Sequence, residues 1–153
     1  MNIYAFPLKI NNTERNALSV LNPDFEFRDK IISKAVVGYL INPIYPIVHQ
    51  NIVYNPDFID YFHKTVKISA LLILGINQSY KNQKGGYVYI LDDRADKNKK
   101  AEPQDVVGSF EIKDGEILEE SYTPNAQYEF ISEKGVCKLT PEFETIFFEA
   151  IKL

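Results

Sequence analysis

The fold turns on Asn55-Pro56-Asp57-Phe58-Ile59-Asp60-Tyr61-Phe62-His63-Lys64-Thr65-Val66-Lys67-Ile68-Ser69-Ala70-Leu71-Leu72-Ile73-Leu74-Gly75-Ile76. Its opening carries three helix-start signals. Asn55 can accept from the orphan amides of a first turn, Pro56 suits the first helical position, and Asp57 complements the positive end of the helix dipole. Phe58, Phe62, Val66, Ala70, Ile73 and Tyr80 then recur at helical spacing. The polar face of Asp60, Lys64 and Lys67 fades after Lys67, where Leu71, Leu72 and Leu74 take its positions. Either the helix enters a core there or a separate buried strand begins at Ile68. The continuing spacing favours one long helix.

Toward the N-terminus, residues 3–10 read as an opening strand. Asn12 or Thr13 then caps a short helix carrying Ala17, Leu18 and Leu21, stopped by Pro23. Residues 24–34 fit helix or extended chain equally. Ala35-Val36-Val37-Gly38-Tyr39-Leu40-Ile41 is rich in β-branched and aromatic residues and ends at Asn42-Pro43, which predicts a strand. Pro43 and Pro46 mark a loop or edge, and Ile52-Val53-Tyr54 a further short strand.

Toward the C-terminus, Lys84-Gly85-Gly86 closes the helical unit and Tyr87–Leu91 alternates as a strand. Residues 92–104 form a polar loop. Val106, Gly108, Phe110 and Ile112 share one face of the next strand. Asp114-Gly115 is a two-residue hairpin turn, since both residues tolerate positive φ. In simple register that turn sets Ile112 against Ile117, which fits, and Phe110 against Glu119, which does not; the hairpin is therefore short or bulged. Ser132–Gly135 turns between 128–131 and 136–139. Thr140-Pro141 opens a last helix with Phe143, Phe147, Ala150 and Ile151 on one stripe. These elements predict a single α+β domain over 1–153: a mostly antiparallel sheet of about six strands, one long central helix and a C-terminal helix.

A chain of 153 residues with 45% apolar and 25% charged residues has ordinary globular composition. At that length it needs no disulfide or metal staple. The one cysteine excludes an intrachain disulfide. The start lacks a basic n-region, and the longest apolar stretch, Ile68–Ile76, is far short of the ~20 residues of a membrane helix. The expectation is a cytoplasmic protein.

Few chemistries find their residues here. His49, His63 and Cys137 are the only imidazoles and thiol, and they lie far apart in sequence, against the close spacing of a zinc site. His63 reads as a boundary histidine beside the Phe58/Phe62 stripe, and Cys137 as a small buried hydrophobe. No phosphate loop, nucleophile elbow or dinucleotide fingerprint is present. Asp92, Asp93 and Asp96 fall at a strand end and could together hold Mg²⁺. The Lys97, Lys99 and Lys100 that follow make a solvated loop the stronger reading, and no cofactor is expected.

The net charge of −4 hides a division. Residues 101–153 hold 12 acids against four lysines, a net −8, whereas residues 1–100 hold nine acids against 13 bases, a net +4. Around the hairpin, Asp114, Glu116, Glu119, Glu120 and Tyr122 form an acidic stretch with an aromatic. Such a surface suits a basic protein and repels nucleic acid. The expected function is therefore non-catalytic binding of a basic partner by a monomer or weak dimer. An immunity or antitoxin-type protein covering a toxin's basic active site is its most concrete version. The alternatives are a small enzyme or ligand-binding domain built on the Asp92/Asp93/Asp96 loop, and a scaffold or oligomer subunit joined through the apolar half of the long helix.

Overall fold

Asn55 caps its helix in the way its residue type requires. In the computed structural model, which describes residues 1–153, its side chain accepts from the Asp57 amide at 3.2 Å. Its Nδ2 donates to the Ser33 and Val36 carbonyls at 3.0 and 2.9 Å, tying the cap to the preceding sheet. The elements run β1 (Tyr4–Ile10), β2 (Thr13–Ser19), α1 (Pro23–Glu26), β3 (Val36–Leu40), β4 (Ile52–Tyr54), α2 (Pro56–Asn77), β5 (Tyr87–Leu91), β6 (Val106–Lys113), β7 (Glu116–Pro124), β8 (Ile131–Ser132), β9 (Gly135–Val136) and α3 (Pro141–Ala150). All strand pairs are antiparallel, and the fold is α+β as the patterning predicts. The strands are divided among a four-stranded sheet β1-β2-β3-β4, a three-stranded sheet β5-β6-β7 and the β8-β9 hairpin.

The helix expected near Ala17 is a strand instead. Asn11 and Asn12 both have positive φ (51° and 65°), which makes them the two-residue turn of a hairpin that sets Ile10 against Thr13. Asn visits this region more readily than other side chains. With β1 on one side and β3 on the other, β2 is interior, and Ala17 and Leu18 are fully buried. Residues 24–34 yield only the single turn of α1.

α2 runs unbroken through Ile68–Ile76 and stops at Asn77, where Gln78 adopts a left-handed cap (φ 52°). Tyr80 lies beyond the helix, although it keeps the spacing. The first half of α2 buries Phe58, Phe62 and Val66 in the main core. There Phe62 meets Phe143 of α3 edge-on at 5.7 Å, and Phe58 meets Phe130 at 4.9 Å. The second half turns Ala70 and Leu74 onto Phe110 of β6 in a smaller cluster. One helix thus buttresses both larger sheets. No helix is long and apolar enough to cross a membrane.

The β6–β7 hairpin closes at Asp114-Gly115 and sets Ile112 against Ile117. It then breaks register: Glu111 faces Leu118 while Ser109 faces Thr123, so Glu119–Tyr122 bulge opposite Phe110 alone. The bulge resolves the mismatch of Phe110 with Glu119. Thr140 caps α3 by accepting from the Phe143 amide, and Phe143, Phe147 and Ile151 point into the core.

Candidate functional site

The bulge determines how the acidic stretch is displayed. Ser121 Oγ accepts from the Glu111 amide at 2.7 Å and donates to the Leu118 carbonyl at 2.5 Å, so the extra residues are held rather than loose. Glu119 and Glu120 leave the normal strand alternation and are exposed together, as are Asp114 and Glu116. Of these four carboxylates only Glu120 has a basic partner within 4 Å, Lys67 of α2 at 3.3 Å. The other three have no basic group that close, although Lys81 lines the same groove as Glu116 and Glu119.

That contact brings the hairpin against the second half of α2. A groove of about 360 Å³ lies between them, with Leu71, Gly75 and Tyr80 on one wall and Gly115, Ile117 and Glu119 on the other. One residue further along α2 is a rotation of about 100°, and that neighbouring stripe is apolar. Ile68, Leu72 and Ile76 are 53%, 55% and 85% exposed. The helix that packs on the acidic hairpin thus also carries an uncovered aliphatic stripe, about 100° round from the groove.

Tyr122 is placed apart from the four carboxylates. It is half-buried; its ring covers Gly108, where any added Cβ would come within 2.7 Å of the hydroxyl, and packs 5.2 Å from Phe110. Its hydroxyl meets His63 Nδ1 at 2.7 Å. Tyr122 thus belongs to the inner side of the hairpin, and the outer surface consists of Asp114, Glu116, Glu119 and Glu120.

Asp92, Asp93 and Asp96 are not gathered into one ligand set, and no group of three or more His, Cys, Asp or Glu is arranged to hold a metal ion. Asp92 points inward and is buried. It accepts from the Tyr128 hydroxyl at 2.7 Å and the Arg94 amide at 2.9 Å, and the Lys138 amide lies 3.3 Å from both its oxygens. Arg94 Nε stands 2.9 Å from Asp92 Oδ1, an ion-pair contact not aligned as a hydrogen bond. The rest of the guanidinium donates to the Glu129, Phe130 and Gly135 carbonyls and to Ser132 Oγ. Asp92 and Arg94 together fasten the 129–138 segment to the end of β5. Asp96 sits on the surface near Lys99, at 4.0 Å. Cys137 is buried beside this network, and burial pushes its thiol up to about 12, far from a reactive thiolate.

The structure also joins residues that lie apart in sequence. His49, in the turn before β4, and His63, on α2, line one cleft of about 470 Å³ with Tyr54, Phe62, Tyr128 and Phe130. Each imidazole meets a tyrosine hydroxyl through Nδ1: His49 with Tyr54 at 3.0 Å and His63 with Tyr122 at 2.7 Å. Burial holds His63 down at about 4, opposed only in part by Asp60, so its imidazole is neutral near pH 7. Burial likewise raises Tyr54, to about 12, and raises Tyr122 further. No spacing rule relates these four residues. The one local hint is that His63 follows Phe62, a helix position turned partly inward.

Comparison with protein-family models, curated proteins and solved structures returned no match to this chain.

Proposed function

We propose that the chain is a non-catalytic protein-binding domain whose docking surface is the acidic β6–β7 hairpin together with the apolar stripe of α2. The observation that carries the reading is the exposed set Asp114, Glu116 and Glu119, with no basic group within 4 Å, on a hairpin packed against the helix that exposes Ile68, Leu72 and Ile76. Contiguous exposed apolar surface rimmed by polar residues is characteristic of interaction sites. The carboxylates select a basic partner and speed its approach, and the aliphatic stripe supplies surface to bury. Nucleic acid is disfavoured by the same charges. The most specific form of the reading is a cytoplasmic immunity or antitoxin-type protein covering a toxin's basic active site; the acidic surface and the small size support it.

A second reading, self-association through the α2 stripe, has the same exposed aliphatic residues in its favour. The carboxylates beside the stripe weigh against it, because a symmetric pair would bring like charges together. Affinity capture from a lysate of the source cell separates the two. The partner should be a basic protein, retained at low salt, lost at high salt, and lost with Glu119→Lys/Glu120→Lys. Recovery of only the chain itself, undiminished by the double reversal, would replace the first reading by the second.

A further inference from the structure

The cleft between α2 and the 124–130 segment is independent of the docking surface, and its polar groups have a defined hydrogen-bonding sense. Tyr122 Oη has one partner, His63 Nδ1, and its hydroxyl proton has no other acceptor. An unpaired donor in a half-buried site is costly, so the hydroxyl donates to Nδ1. A neutral imidazole that accepts at Nδ1 carries its proton on Nε2. The second pair repeats the arrangement. Tyr54 Oη likewise has one partner, His49 Nδ1 at 3.0 Å, so the same argument makes the hydroxyl the donor and Nδ1 the acceptor. Neither Nε2 has a partner in the protein, and neither is among the buried unpaired atoms, so both remain open to an incoming group.

The surrounding surface is mostly apolar and aromatic. Tyr54, Phe62, Tyr128 and Phe130 contribute rings, and Tyr128 is locked by its hydroxyl bond to buried Asp92. Phe62 and Tyr128 lie nearly parallel (4°) with centroids 5.9 Å apart. The only carboxylate on the lining is Asp60, which is exposed and already paired with Lys64 at 2.9 Å. A volume of about 470 Å³ falls within the ~300–1,000 Å³ of small-molecule sites, which are commonly apolar with a few fixed polar groups.

We infer that this cleft is a binding site for a planar, uncharged aromatic molecule bearing carbonyl oxygens, which accept from the Nε2–H groups of His49 and His63. A carboxylate ligand would leave water without a cation to meet it, and an ammonium would face the positive ends of two N–H bonds beside a carboxylate already paired with Lys64. The two tyrosines act behind the histidines by fixing the tautomer that presents N–H.

Flavone and lumiflavin serve as neutral carbonyl probes, with benzoate and benzylamine as charged controls, titrated into the full chain at pH 7.5. The readout is the imidazole ¹⁵N and ¹H resonances of both histidines. Expected are saturable shifts at Nε2 with at least one neutral probe, at least tenfold tighter binding than either control, and a tenfold or greater loss in His63→Phe. Ala126→Trp fills the cleft from its lining while leaving His49, Tyr54, His63 and Tyr122 unsubstituted and should abolish the shifts, which keeps the test informative should His63→Phe fail to fold. The inference is overturned by absence of saturation with both neutral probes, by equal binding of the controls, by Nδ1–H tautomers, or by undiminished binding in Ala126→Trp.

Discussion

Buried polar side chains place the tightest constraints on this molecule. Asp92 and Arg94 are almost wholly removed from water and compensate each other, so removing one charge strands the other. Asp92→Asn should therefore cost about 3–5 kcal/mol in urea unfolding; a cost below about 0.5 kcal/mol, the range of an exposed position, would show that the pair does not hold the 129–138 segment. His63 makes a different prediction. Its folded value near 4 lies below the ordinary 6.5, so the unfolded chain binds the additional proton between those pH values. Stability is complete above pH 6.5, falls as pH drops toward 4, and loses roughly 2 kcal/mol from this group after allowance for partial solvent screening. His63→Gln should remove that part of the slope. An unchanged pH profile in the variant would mean that the imidazole is not held neutral. The inward set of Asp92 was not legible in the sequence, where Asp92-Asp93-Arg94-Ala95-Asp96 looks uniformly polar; only the approach of Tyr128 and Lys138 from the later chain separates one carboxylate from the others.

At the level of elements, local signals were legible where the chain satisfies its own backbone. Asn55-Pro56-Asp57 and Thr140-Pro141 announce helices because cap and first turn are neighbours in sequence, and Asp114-Gly115 announces a hairpin because positive φ is a property of those two residues. Asn11-Asn12 has the same property. Asn12 or Thr13 reads equally as a helix cap, because both residue types also cap helices, and β1 and β3, which make Thr13–Ser19 an interior strand, act from outside the segment. The mismatch of Phe110 with Glu119 signals a short or bulged hairpin, and the structure has the bulge; the inward turn of Tyr122 depends on Gly108 leaving room for the ring. The two faces of α2 can be tested against each other. Phe62→Ala should cost about 3–5 kcal/mol, as truncation of a buried aromatic does, whereas Leu72→Ser should change stability by less than about 0.5 kcal/mol. Equal costs in thermal or urea unfolding would contradict the assigned phase of the helix.

Over the whole molecule, charge and shape follow different divisions of the chain. The acid excess of residues 101–153 is partly met by bases from the first hundred residues, such as Lys67 with Glu120 and the N-terminal amine with Glu144. The hairpin keeps carboxylates without a basic group within 4 Å, and the helix it packs against keeps Ile68, Leu72 and Ile76 exposed. The acidic excess was legible from composition by segment; the neighbouring aliphatic stripe and the His49/His63 cleft were not, because each needs the long helix placed against a distant loop. The proposed docking of a basic partner on this composite face is tested most directly by the association rate of the captured partner across a salt series, for the parent chain and for Glu119→Lys/Glu120→Lys. Exposed charges act over about 8 Å at physiological ionic strength, so the parent should associate more slowly as salt rises, and the double reversal should associate at least tenfold more slowly at low salt with an unchanged unfolding transition. Equal rates for the two proteins at every salt concentration would contradict the account.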